Sequence, residues 1–199
     1  TLVVAKANQT ITFGALPIKL ISDVPFTLTA TSDSLLAVEY TSANVAVATV
    51  SGATVTLRGL GTTNITARQP GNGNFNAATP VIQPLVVNPI APVITSPLMA
   101  RGVVGRSFFY AIQTNPTPAT FESGTLPAGL TLNVTTGVIS GNPTTAGTSN
   151  VTITARNVTG SDSRPLAITI QDPPPVITSP AAASGQVGVA FTYTATAMP

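Results

Sequence analysis

Residues 92–116 and 175–199 are one segment written twice. They read PVITSPLMARGVVGRSFFYAIQTNP and PVITSPAAASGQVGVAFTYTATAMP, and without gaps 13 of 25 positions are identical at an offset of 83 residues. Pro92, Val93, Ile94, Thr95, Ser96 and Pro97 recur from Pro175 to Pro180. Gly102, Val104, Gly105, Phe108 and Tyr110 recur as Gly185, Val187, Gly188, Phe191 and Tyr193. A period this long exceeds that of a solenoid unit, roughly 20–45 residues, and suits a small β-sandwich used as a bead. The chain therefore parses into modules. Residues 6–88 form the first, 89–91 a linker, 92–172 the second, and 173–199 the incomplete opening of a third. Residues 1–5 (TLVVA) resemble LVVN at 85–88 and are expected to be the last strand of a preceding module. Residues 173–199 fall below the roughly 40 residues that hold a core unaided, so further chain or a neighbouring molecule is expected to order them.

The fold class expected is all-β. Thr (33 residues) and Ser (14) make up nearly a quarter of the chain, with Val and Ile abundant and 18 Pro and 16 Gly as punctuation. β-branched residues fit a pleated surface better than a helix. Alternating runs predict strands at 10–13, 26–31, 37–42, 47–51, 54–58, 64–68 and 81–87 in the first module. In the second they predict 93–96, 107–113, 119–122, 130–133, 138–140, 150–156 and 165–171. In Phe26-Thr27-Leu28-Thr29-Ala30 the apolar residues take one face and the Thr hydroxyls the other. Asn88-Pro89-Ile90-Ala91-Pro92 and Asp172-Pro173-Pro174-Pro175 are short proline joints of the semi-rigid kind. Sandwiches end to end on such joints would make a rod.

A family resemblance rests on specific residues. Leu126-Pro127-Ala128-Gly129-Leu130, Thr136-Gly137-Val138-Ile139-Ser140-Gly141, Pro143-Thr144, Gly147, Val151-Thr152-Ile153-Thr154-Ala155, Asn157 and Gly160 closely resemble the "putative Ig" repeats of large bacterial surface proteins. That pattern fills most of 92–172 and its opening recurs at 175–199. Residues 6–88 resemble a group 2-like bacterial Ig-like domain. The carrying residues are Gln9-Thr10-Ile11-Thr12-Phe13, Pro25-Phe26, Val47-Ala48-Thr49-Val50, Gly61-Thr62-Thr63, Ile65-Thr66-Ala67 and Asn74-Phe75-Asn76-Ala77-Ala78. Residues 32–37 depart from the glycine-containing turn that this resemblance implies. The resemblance implies tandem immunoglobulin-like β-sandwiches joined by short Pro-containing linkers, an extracellular or cell-surface location, and no catalytic residue.

Composition excludes several chemistries. With no His, Cys or Trp, a Ser-His-Asp triad, a Cys nucleophile and an ordinary zinc or iron site are all unavailable. Charged residues are only 7% of the chain, and eight Lys+Arg against six Asp+Glu leave +2, which is no basic surface for nucleic acid. No apolar run reaches the roughly 18 residues that span a bilayer, so no membrane insertion is expected. Asp23, Asp33, Glu39, Glu122, Asp162 and Asp172 are scattered, whereas calcium wants six to eight oxygens with several carboxylates together. They read as solvated surface groups, and no metal or cofactor site is assigned. Gly59-Leu60-Gly61-Thr62-Thr63-Asn64 lacks the third Gly and the following helix of a dinucleotide loop and reads as a hairpin turn.

Other candidates stand beside a plainer alternative. Phe26, Phe108, Tyr110, Phe191 and Tyr193 alternate inward and are expected in the core, leaving Tyr40 and Phe75 as the exposed aromatics that a glycan could stack on. No pattern supports a carbohydrate or protein ligand. Asn8, Asn64, Asn133, Asn150 and Asn157 each open an Asn-X-Thr triplet, which polar strand faces explain as well as glycosylation does. Lys6 and Lys19 could in principle crosslink to Asn, with no local support. Low charge leaves strand edges without the Lys that normally guards them. The outer faces are then short Thr and Ser side chains suited to packing against their own kind. The reading is a structural segment of an extracellular bacterial fibre, sheath or surface layer. It would self-associate with copies or adjoining repeats, with strand complementation as one route. The alternatives are the stalk of an adhesin and an accessory region of a large secreted enzyme.

Overall fold

A computed structural model describes residues 4–116 and 120–198. Contacts divide the chain into two units. The first runs to Ala91 and includes Val158–Gly160; the second takes Pro92–Asn157 and the chain from Ser161 onward. Every regular element among the described residues is a strand, as the β-branched composition requires.

Unit one contains β1 (Ile11–Thr12), β2 (Lys19–Leu20), β3 (Phe26–Thr27), β4 (Thr31–Ser32), β5 (Glu39–Ser42), β6 (Ala48–Ser51), β7 (Thr54–Leu57), β8 (Gly61–Arg68) and β9 (Val81–Asn88). A four-stranded sheet has the order β2-β9-β8-β5, a three-stranded sheet the order β3-β7-β6, and β1 pairs with β4. Alternation does the sorting. In β8, Thr63, Ile65 and Ala67 turn inward while Thr62, Asn64 and Thr66 face out; in β9, Leu85 and Val87 turn inward. Their side chains meet Val55 and Ala48 from the other sheet in one core with Phe13 and Leu28, the two-layer arrangement that closes a sandwich.

Unit two repeats this plan. Its strands are β10 (Val93–Ile94), β11 (Met99–Val103), β12 (Phe108–Ala111), β13 (Thr114–Asn115), β14 (Thr120–Ser123), β15 (Leu130–Leu132), β16 (Val138–Gly141), β17 (Gly147–Arg156) and β18 (Ser161–Gln171). The sheets are β11-β18-β17-β14, β12-β16-β15 and the pair β10-β13. Each position in the order is nine elements on from its counterpart in unit one. The core gathers Val151, Ile153 and Ala155 of β17, Leu166, Ile168 and Ile170 of β18 and Phe121 of β14 from one sheet, with Ile139, Phe108 and Tyr110 from the other. Gly137 is required here: its φ is +72°, and a β-carbon would come within 2.9 Å of the Phe121 ring.

Several sequence expectations need correction. The strand expected over 26–31 breaks in two, because β3 pairs with β7 in one sheet and β4 pairs with β1 elsewhere. Between them the Leu28 N–H donates to the Ala53 carbonyl at 2.9 Å, and the Ala30 N–H donates to the Tyr40 hydroxyl at 2.8 Å. The run over 107–113 likewise ends at Ala111, and Thr114–Asn115 turns to pair with β10. Besides β13, the strands β2 and β11 fall on no expected run, and they pair in parallel with β9 and β18. Lys19-Leu20 is too short to show a period, and Met99–Val103 does not alternate. Gly59–Asn64 is not a hairpin turn: β7 pairs with β6 and β3 while β8 pairs with β9 and β5, so this segment crosses from one sheet to the other. Ala119 of the expected strand 119–122, residues 1–3 of the expected strand 1–5, and Pro199 lie outside the described residues.

The second copy of the repeat forms the same opening as the first. β19 (Val176–Ile177) pairs with β20 (Ala197–Met198), as β10 pairs with β13. Tyr110 donates to the Pro97 carbonyl at 2.7 Å, and Tyr193 donates to that of Pro180. Burial differs. Phe108 is 3% exposed and Ile94 8%, whereas Phe191 is 54% and Ile177 73%. Phe191 and Tyr193 are therefore not core, although their alternation is that of core residues. An inward-facing side chain is buried only when a second layer covers it, and among the described residues no sheet stands opposite this segment. Ser179 Oγ, the equivalent of the Ser96 Oγ that pairs with the Tyr110 hydroxyl at 2.9 Å, has no hydrogen-bond partner.

Candidate functional site

In each unit a carboxylate holds the opening strand by hydrogen bonds. In unit one, Asp33 accepts hydrogen bonds from the Thr10 N–H at 3.0 Å and the Thr10 hydroxyl at 2.8 Å, which fastens the residue before β1. Beside it, Gln9 is buried and shared. Its Nε2 donates to Gln69 Oε1 at 2.8 Å and to the Asn76 carbonyl at 2.6 Å, and its Oε1 accepts from Ser32 at 2.8 Å and from Ser34. Gln69 in turn donates to the Ala37 carbonyl at 3.2 Å. A buried amide needs every bond it can make, so this cluster locks the opening strand to the loop 69–76 and to β4.

In unit two the same task falls to Asp162, whose Oδ2 accepts from the Ile94 N–H at 2.9 Å and which pairs with Arg164 at 3.2 Å. Both carboxyls sit below the ordinary aspartate range. The main cause for Asp33 is the Thr10 N–H, and for Asp162 it is the Ile94 N–H, with Arg164 adding to it. Hydrogen bonds to the charged form hold a carboxylate ionised. Asp23 accepts from the Leu20 N–H at 3.1 Å beside the parallel strand β2, and Glu122 lies 3.7 Å from Arg156 on an exposed face.

The acidic residues thus stay apart, and among the described residues no three His, Cys, Asp or Glu side chains gather as metal ligands would. The aromatic expectation is partly overturned. Tyr40 is half-buried, edge-on to Phe13 at 5.8 Å between ring centroids, with its hydroxyl bonded to Ala30. Phe75 is also half-buried. Phe109, which the sequence reading did not single out, is 72% exposed. The signal was available: in Phe108-Phe109-Tyr110 alternate side chains must point away from the core. Of the Asn-X-Thr triplets, Asn8, Asn64, Asn133 and Asn150 are exposed and Asn157 is half-buried. Asn133 Oδ1 accepts from the Thr135 and Thr136 N–H groups at 3.0 Å, so it serves the turn into β16. Lys19 lies over the Phe26 ring, 4.7 Å from its centroid, a cation–π contact and not an approach to Asn.

Outward faces carry hydroxyl ladders. Across β17 and β18, Thr148 and Thr169 pair at 3.2 Å and Thr154 and Ser163 at 2.8 Å. The arrangement fastens strands and presents a short, weakly charged polar surface.

The family model described as "Putative Ig domain" matches residues 63–171, from within β8 to the end of β18. No curated protein matches. Among solved structures, a "putative alpha-galactosidase/melibiase" from Bacteroides fragilis NCTC 9343 is 32% identical over 40% of this chain and 17% of its own, with a TM-score of 0.38. A "putative alpha-galactosidase" from the same strain is 35% identical over the same shares, also at 0.38. This chain spans 17% of the length of those two proteins. Sidekick-1 immunoglobulin domains 1–5 are 12% identical over 86% of this chain and 40% of theirs, with a TM-score of 0.50, a likeness of fold. The family match covers more than half of the sequence and runs along the strands whose alternation builds the core, so the chain belongs to the "Putative Ig domain" family.

Proposed function

We propose that this chain is a structural segment of an extracellular bacterial fibre, sheath or surface layer, built from tandem Ig-like units and held by contacts with copies of itself or with adjoining repeats. One observation carries the reading: the polar groups fasten strands instead of gathering around a cleft. Asp33, Asp162, Gln9 and Gln69 hold the opening strands, and the outward hydroxyls of β17 and β18 bond to one another. A surface of short Thr and Ser side chains with a net charge of +2 carries little repulsion and loses little entropy when packed. The apolar face of Ile177, Phe191 and Tyr193 supports strand complementation as one contact. Its twin in unit two is covered by the sheet that holds β14, β17 and β18, so a sheet of that chemistry would close it.

Sedimentation of the full chain over a wide concentration range tests this. Growth of mass with concentration is expected. A monomer throughout would instead favour the second reading, a passive stalk, for which two units of identical topology on a proline-bearing joint are equally suited.

A further inference from the structure

Three asparagines share one kind of turn, and a single one of them is followed by glycine. Asn44 Oδ1 accepts from the Ala46 N–H at 3.0 Å, and Asn133 Oδ1 from the Thr135 and Thr136 N–H groups at 3.0 Å. Asn72 Oδ1 accepts from the Asn74 N–H at 2.8 Å and the Phe75 N–H at 3.0 Å. N–H donors on a carbonyl oxygen draw electrons from its carbon, and they are already placed for the oxyanion that a nucleophile would create there. The backbone nitrogen of the next residue is such a nucleophile, since it can close a five-membered ring on Cγ. After Asn44 and Asn133 it belongs to Val45 and Val134, whose branched side chains crowd it. After Asn72 it belongs to Gly73, which is exposed and has open space where a β-carbon would stand. The Gly73 N–H makes no hydrogen bond among the described residues.

We infer that Asn72 is a self-modification site, at which the Gly73 nitrogen attacks Cγ, the side-chain amide leaves as ammonia, and the clamp on the opening strand of unit one loosens. The N–Cγ bond forms, the Cγ–Nδ2 bond breaks, and the Gly73 amide proton passes through solvent to the departing nitrogen. Water then opens the succinimide at one carbonyl or the other, leaving an aspartate or an isoaspartate at position 72. Either product takes the net charge from +2 to +1. The two differ in what they do to the loop. The Asn72 N–H donates to the Phe75 carbonyl at 3.0 Å, the Ala7 N–H to the Asn74 carbonyl at 2.9 Å and the Asn76 N–H to the Ala7 carbonyl at 2.8 Å. Gln9 Nε2 reaches the Asn76 carbonyl from the core side. An aspartate keeps the backbone length and the acceptor oxygen. An isoaspartate routes the backbone through the former side chain and adds one carbon to it, which draws this turn away from the strand it holds.

The test incubates the full chain, folded and in denaturant, at neutral and mildly alkaline pH. Fragmentation mass spectrometry locates the conversion, and enzymatic methylation of the freed α-carboxylate reads isoaspartate. In the folded chain Asn72 is expected to convert ahead of Asn44 and Asn133, and no more slowly than in denaturant. The rate should rise with pH, because the attacking nitrogen must lose its proton. Gly73→Ala meets open space and a φ outside the left-handed region, so the variant folds; it is expected to slow conversion about tenfold. As isoaspartate accumulates, unit one should melt about 4 °C lower, the scale of one lost hydrogen bond, while unit two stays in place. Asn72→Asp should melt with the unaltered chain. An Asn72 that survives in the folded chain but converts in denaturant overturns the inference, as does equal conversion at Asn133 or an unslowed Gly73→Ala. A converted chain whose unit one melts unchanged overturns the loosening.

Discussion

The Asp162 carboxylate accepts a hydrogen bond at 2.9 Å from the backbone N–H of Ile94, 68 residues earlier. Through it the last long strand of unit two fastens the first short one. Unit one reaches the same end by another route, with Asp33 on the Thr10 N–H and hydroxyl. Two of the six side-chain carboxylates of the chain thus pin opening strands.

Asp162→Ala is expected to destabilise unit two by about 1 kcal/mol, the scale of a charge-assisted hydrogen bond discounted for solvent screening. The loss should be larger in pulling experiments than in denaturant, because the bond lies across the strand that force would peel first. Equal unfolding forces for the variant and the unaltered chain would contradict it.

Acid should weaken both units together. The Asp33 and Asp162 pKa values are lower in the folded chain than in the unfolded one. The stability they contribute is therefore full above the unfolded value of about 4 and is lost as pH falls through the folded values. With no His in the chain, denaturation midpoints are expected to be level from about pH 5 to 8. A step inside that window would show that another group controls stability.

The repeat allows an internal control. Tyr110→Phe removes a hydroxyl that bonds both the Pro97 carbonyl and Ser96, in a buried setting, and should cost about 1–2 kcal/mol. Tyr193→Phe removes the matching hydroxyl from an exposed segment and should leave both unfolding transitions of the isolated chain unmoved. Equal effects would mean that the second copy is covered in solution.

Core truncation should separate the units. Ile168 is fully buried, and Ile168→Ala is expected to cost about 2–5 kcal/mol in unit two while the unit one transition stays in place. Calorimetry would resolve the two peaks, and a joint shift would show that the units unfold as one.

Gly137→Ala meets two obstacles, a φ of +72° and the Phe121 ring 2.9 Å from the new β-carbon. A loss above about 1 kcal/mol is expected, where an exposed turn glycine such as Gly105, with open space around it, should lose less. Chemical denaturation of the two variants side by side checks the difference.

Period-two alternation made much of this protein legible before folding. It placed β8, β9, β17 and β18, their inward Ile, Leu and Val, and the repeat that makes Tyr193 a twin of Tyr110. The absence of His and Cys leaves this sequence without the parts of a Ser-His-Asp triad or a Cys nucleophile. The switch of sheet at Leu28–Ala30, the parallel strands β2 and β11, the half-burial of Tyr40, the exposure of Phe191 and the left-handed backbone at Leu35 were decided only in three dimensions. Alternation is a property of neighbours along the chain, so the sequence displays it. Burial, strand partnership and the φ of a pinned loop depend on groups tens of residues away, and no local pattern records which of them will arrive.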